Sequence, residues 1–194
     1  MDRYVSSSGI ICNILHNGDS GPFIYWGVSP NSNDFIAMAN FIKTLSNDAP
    51  FHLVAFEVKD WNADFSPWKA NAVLGKEAFA GKAQSTLDEL ISECILRIEA
   101  GYNVETRYIA GYSLAGLFAL WAFLGSKYFA GVASCSGSLW FPHWLGYIKE
   151  TEVPYGCNIY LSLGDAEEKQ KIKLCLLSVM PQGRLIKFLK RIKM

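Results

Sequence analysis

With 194 residues, 51% of them hydrophobic and 19% charged, the chain has the length of one domain and too much apolar content for a disordered segment. Its formal net charge of zero argues against a whole-chain electrostatic binder of nucleic acid or of an anionic membrane. The balance conceals a split: residues 1–168 hold ten Lys and Arg against all eighteen acids, while residues 169–194 hold eight Lys and Arg and no acid.

Met1 to Gly9 lacks the apolar stretch of a signal peptide, and no apolar run approaches the ~18 residues of a membrane span, so a soluble, cytoplasmic protein is expected. Ile10–Ile14 is a short β-like run closed by the turn signal Asn17-Gly18-Asp19, with His16 in the turn region. Phe23–Val28 is a second strand, and residues 34–45 carry Phe35, Met38, Ala39, Phe41, Ile42 and Leu45 at helical spacing. Phe51–Val58 has strand length, and residues 59–83 read as irregular. Thr86-Leu87-Asp88-Glu89 has capping-box form and opens a helix with Leu87, Leu90, Ile91, Cys94, Ile95 and Ile98 on one face. Arg107–Ala110, Gly131–Cys135 and Asn158–Leu163 are further strands, and Leu114–Leu124 is a helix apolar on nearly every side. Continuously apolar strands alternating with helices predict a mostly parallel sheet covered on both faces: an α/β sandwich.

Ile109-Ala110-Gly111-Tyr112-Ser113-Leu114-Ala115-Gly116 is the most informative stretch. A strand ends, Gly-x-Ser follows and a buried helix begins at once, the context of a nucleophile elbow. Such a turn presses backbone against backbone and needs small residues around the serine. Gly111 supplies one, and Ala115 stands where the motif usually has its second Gly. The turn sets Ser113 at a helix N-terminus, where free N–H groups and the helix dipole stabilise an oxyanion, with the Leu114 N–H as first donor. The competing reading of Ser113 is a simple N-cap.

These residues resemble the esterase group of α/β-hydrolases related to enterochelin esterases and to the esterase modules fused to some xylanases. Three blocks carry the resemblance across residues 20–168: Asp64-Phe65-Ser66-Pro67; the stretch from Phe79 to Leu87; and Ile109 to Trp121 with Phe129 to Trp140, which ends in Ser136-Gly137-Ser138. Trp61 departs from the Arg that the family usually places about three residues before the acid of the first block. The resemblance implies an α/β-hydrolase-like three-layer sandwich over residues 1–168, the last strand or strands missing, and ester hydrolysis through an acyl-enzyme on Ser113. Aligned on Gly164, it sets the catalytic acid at Glu167, with Asp165 as the neighbouring choice.

The general base should be a His after the acid, because a serine at its free pKa is a poor nucleophile. None follows His143. His52 opens a strand, the wrong end of a parallel sheet, and His143 has the wrong chain order. The expectation is therefore an impaired hydrolase whose residues 169–194 come from a truncation or frameshift. The other reading of that segment is a basic amphipathic helix at residues 184–193 acting at a membrane surface. A non-catalytic relative binding a ligand in the same cleft is the remaining alternative. Trp61, Phe65, Trp68, Trp140, Phe141 and Trp144 are candidates for lining an acyl or aromatic pocket, or for the core. Three isolated His and five singly spaced Cys imply neither a metal nor a cofactor, and the expected partner is a small-molecule ester.

Overall fold

Alternating apolar runs and amphipathic helices give a seven-stranded sheet in the order β1-β2-β4-β3-β7-β8-β9 in the computed structural model, which describes residues 1–163 apart from 31, 33, 34, 74, 75 and 105. β1 (Asp2–Val5) and β2 (Ile11–Asn17) join antiparallel at one edge; β3 (Phe23–Val28), β4 (Phe51–Glu57), β7 (Arg107–Tyr112), β8 (Gly131–Cys135) and β9 (Asn158–Ser162) run parallel to one another. The expected mostly parallel α/β architecture is what the chain adopts. The expected boundary at residue 168, Asp165, Glu167 and the basic segment lie outside the described residues.

Strand period 2 sorts the side chains onto the two faces. Phe23 and Tyr25 of β3, Val54 and Phe56 of β4, and Ile109 of β7 enter the larger core. α5 (Leu114–Gly125) and the helical stretch over residues 83–98 cover that face. On the opposite face α1 (Phe35–Leu45) sets Phe35 and Ala39 against Leu53 and Ala55. Each fully buried Phe or Leu stabilises the fold by about 1.5–3 kcal/mol, so the larger core dominates.

Several local expectations need correction. β2 continues to Asn17 because β4 pairs with it along its whole length, Asn17 against Phe51, and this places His16 in a strand. Thr86 does not cap its helix. α3 (Ala83–Glu89) begins a turn earlier, with Lys82 at the N-cap and no side-chain cap. Tertiary contacts replace the capping box: the Lys82 N–H donates to the Ala63 carbonyl at 2.9 Å and the Ala83 N–H to the Ser66 carbonyl at 3.1 Å. A π-helical segment, Leu90–Ile95, and α4 (Leu96–Ile98) continue the helix, with Leu87, Leu90, Cys94, Ile95 and Ile98 buried as the pattern predicts.

Within residues 59–83 the chain forms α2 (Trp61–Asp64) and a two-residue ladder between β5 (Lys69–Ala70) and β6 (Phe79–Ala80). Ser66 ties these parts together. Its buried hydroxyl donates to the Ala63 carbonyl at 3.0 Å and accepts the Gly81 N–H at 2.8 Å. Gly81 has φ +72°, and a Cβ there would collide with the backbone of Trp68 and Lys69. Two of the three blocks that carry the family resemblance thus meet through one hydroxyl.

Candidate active site

Ser113 joins β7 to α5 with φ 56° and ψ −122°, a backbone region that L residues rarely occupy and that costs about 1–3 kcal/mol. The expected sharp turn is present, and Ser113 does not cap the helix with its side chain. The turn closes only because its neighbours are small. A Cβ on Gly111 would overlap the Ala115 carbonyl, and one on Gly116 would lie 2.9 Å from the Gly111 carbonyl oxygen. Ala115 fits in place of the usual Gly because Gly27 faces it from β3. A Cβ on Gly27 would lie 3.1 Å from that of Ala115 and 3.2 Å from the rings of Phe56 and Phe65. A glycine inside an otherwise bulky strand is the mark of such a close approach.

The exit from β8 braces the turn. The Ser113 N–H donates to the Cys135 carbonyl at 3.0 Å, and the Ser138 N–H donates to the Ser113 carbonyl at 3.0 Å. The Ser113 and Ser138 hydroxyl oxygens lie 3.4 Å apart. Leu114, the first residue of α5, is buried, and at that position its N–H has no acceptor within the helix. Burial pushes the Cys135 thiol up, the Ser162 hydroxyl opposing, so this neighbour is held protonated.

A cleft of about 580 Å³ opens at the carboxyl ends of β3 and β7, and its wall reaches Tyr112, the residue before Ser113; Ser113 itself is not among its lining residues. Trp26, Met38, Phe41, Trp61 and Tyr112 supply its apolar walls, with Ser29 and Ser32 at one side, and no charged residue lines it among the described residues. Phe41 is 51% and Tyr112 59% exposed, the kind of solvent-facing apolar surface that marks a ligand groove. Of the six aromatics considered from the sequence, Trp61 alone lines this cleft. Phe65, Phe141 and Trp144 are core residues, and Trp68 and Trp140 pack against them half-buried.

None of the described histidines hydrogen-bonds Ser113. His143 is exposed, in a left-handed conformation at the N-cap of α6 (Trp144–Glu150), and lines a separate hollow with the β5–β6 ladder. His16 and His52 bond Nδ1 to Nδ1 at 2.8 Å near the amino end of β4, opposite the end that carries Ser113. Among the described residues no His, Cys, Asp or Glu group could hold a metal, and no helix is long and apolar enough to cross a membrane.

No protein-family model matches the chain, and no curated protein matches it. Solved structures do. An IroE-like serine hydrolase from Shewanella oneidensis superposes with a TM-score of 0.74 at 18% identity, over 94% of this chain and 70% of that one. The chain has the α/β-hydrolase fold. The siderophore hydrolase EstB from Aspergillus nidulans shares this fold with a TM-score of 0.71 at 16% identity, over 92% of this chain and 81% of its own. The enterochelin esterase from Shigella flexneri matches with a TM-score of 0.67 at 19% identity, over 93% of this chain and 49% of its own. In the α/β-hydrolase fold the turn between β7 and α5 lies at the carboxyl edge of the sheet, where ligands of open α/β sheets bind.

Proposed function

We propose that this chain is a serine hydrolase of carboxylic esters with Ser113 as its nucleophile. The observation that carries this reading is the backbone of Ser113, held at φ 56° on a strand-to-helix turn one residue past Tyr112, which lines an apolar cleft. The names of the neighbours in structure, a serine hydrolase, a siderophore hydrolase and an enterochelin esterase, agree with it.

In this mechanism the Ser113 oxygen attacks the ester carbonyl, the alcohol leaves with a proton, and water then hydrolyses the acyl-serine. The Leu114 N–H and the N-terminal dipole of α5 face the oxyanion. Gly27 pairs with Gly111, so continuing the register sets Ser29 level with Ser113, and its backbone N–H is the second donor. The cleft takes the apolar part of a small ester. Glu167 is the acid that would orient a histidine base, with Asp165 as the adjacent choice.

The base itself limits the rate. No His follows His143 in the 194 residues, and among the described residues none hydrogen-bonds Ser113. Oxyanion and binding contributions alone leave about 10³–10⁴ over water. Turnover of p-nitrophenyl acetate should therefore be slow, and an alkyl fluorophosphonate, which needs the same attack but is not turned over, should label Ser113 slowly and to completion, as read by peptide mass spectrometry. Failure of Ser113 to take the label refutes the reading.

A further inference from the structure

Ser138 has none of the exposure that would let it meet a substrate, yet it touches Ser113 twice. It is 3% exposed. Its N–H donates to the Ser113 carbonyl at 3.0 Å, and its Oγ lies 3.4 Å from the Ser113 Oγ. Its own carbonyl accepts the Phe141 N–H at 3.0 Å, and the Ser136 N–H reaches the Ser162 carbonyl of β9 at 2.9 Å. Ser138 is thus fixed by the exit of β8, and Ser113 is bound to it by backbone and side chain together.

We infer that Ser138 is a positioning residue whose hydroxyl fixes the rotamer of Ser113 and donates to its Oγ during attack. The inference rests on the reading of Ser113 as nucleophile. A buried hydroxyl without a partner is costly, so turning the Ser113 oxygen away would strand that of Ser138. The direction of the bond follows from the chemistry. Ser113 must release its own proton when it attacks, so its oxygen can only accept from Ser138. As the oxygen of an acyl-serine it carries no hydrogen and accepts still. At 3.4 Å the contact is long for two hydroxyls, as catalytic hydrogen bonds often are in a free enzyme, and it tightens when the Ser113 proton leaves.

The test uses the full 194-residue chain and an alkyl fluorophosphonate. The Ser113 Oγ–P bond forms, the P–F bond breaks, fluoride leaves and the serine proton passes to solvent. The dependence of labelling rate on reagent concentration separates the maximal rate from reagent binding. Ser138→Ala should lower the maximal rate about three- to tenfold, as loss of one ordinary hydrogen bond would, with reagent affinity unchanged. Ser138→Cys, close in size but a poor donor, should fall equally and serves if the Ala variant does not fold. Ser138→Thr, which restores the hydroxyl, should recover most of the rate. Ser134→Ala is the control, because Ser134 is 1% exposed beside the same turn and has no hydrogen-bond partner among the described residues. A folded Ser138→Ala or Ser138→Cys protein labelling at the wild-type rate overturns the inference alone. So does an equal fall in Ser134→Ala, which would assign the effect to packing. A wild-type chain that never labels at Ser113 overturns the nucleophile reading beneath it.

Discussion

Gly27 of β3 and Ala115 of α5 form a matched pair: the Cβ that Gly27 lacks would stand 3.1 Å from the one that Ala115 has. The strand gives up a side chain so that the helix can keep one. Gly27→Ala should destabilise the fold by about 1–3 kcal/mol through overpacking. Ala115→Gly in the same chain should return part of that loss, a non-additivity expected for residues in contact. Urea unfolding of the two single variants and the double variant gives the coupling energy; strict additivity would show that the two sites do not press on each other.

Ser113 holds its conformation against its own preference. Ser113→Gly should exceed Ser113→Ala in stability by about 1 kcal/mol, since only glycine adopts positive φ without strain. Both should lose all fluorophosphonate labelling. Equal melting temperatures for the two variants would mean that the turn relaxes when the side chain changes.

Glu99 is 8% exposed and receives the Tyr25 hydroxyl at 2.9 Å and three Arg107 contacts, of which the shortest is 2.6 Å. Glu99→Gln keeps the shape and removes the charge, leaving Arg107 with a weaker partner. Because the Arg107 side chain is itself 29% exposed, the cost should fall at or just below the lower end of that for broken buried pairs, about 2–3 kcal/mol. Chemical denaturation measures it; a loss below 0.5 kcal/mol, a value ordinary for surface pairs, would count against this network.

Burial lowers the pKa of both His16 and His52, and His16 lowers that of His52 further; Asp2 raises His16, while Asp19 and Glu99 raise His52. The N-terminal amine adds a small lowering push on His16. The folded state therefore binds fewer protons than the unfolded one just below the ordinary His value of about 6.5. The stability that this pair contributes is complete above that pH and is lost as the pH falls through the depressed folded values. Urea midpoints should hold steady from pH 8 to 7 and decline toward pH 5, and His16→Gln should flatten the decline. An unchanged slope in that variant would remove the pair as its source.

Periodicity carried most of the fold. The apolar runs of β3, β4, β7 and β8 and the stripe of α3 through α4 were legible because burial repeats at strand or helical spacing. The Thr86 capping box misled because Ala63 and Ser66, some twenty residues earlier, supply the acceptors that the motif would have supplied locally. The sharp turn at Ser113 was legible from its immediate neighbours. Ser138 and Gly27 were not, since each acts only through a side chain or a gap brought to it by another strand. Phe41 fits the helical stripe of α1 and yet is exposed, because the sheet beneath it opens into the cleft.

The Ser66 hydroxyl and the β5–β6 ladder close the neck of the loop between Ala70 and Phe79. A neck pinned in this way separates length from position. Extra residues inserted beyond it pay only the slowly growing entropy of a longer loop, about 0.6 kcal/mol for each doubling, while α2 and the start of α3 keep their places. The fold therefore offers a site for grafting an affinity element near Asn62, which donates to Glu77 at 3.0 Å, without moving Ser113.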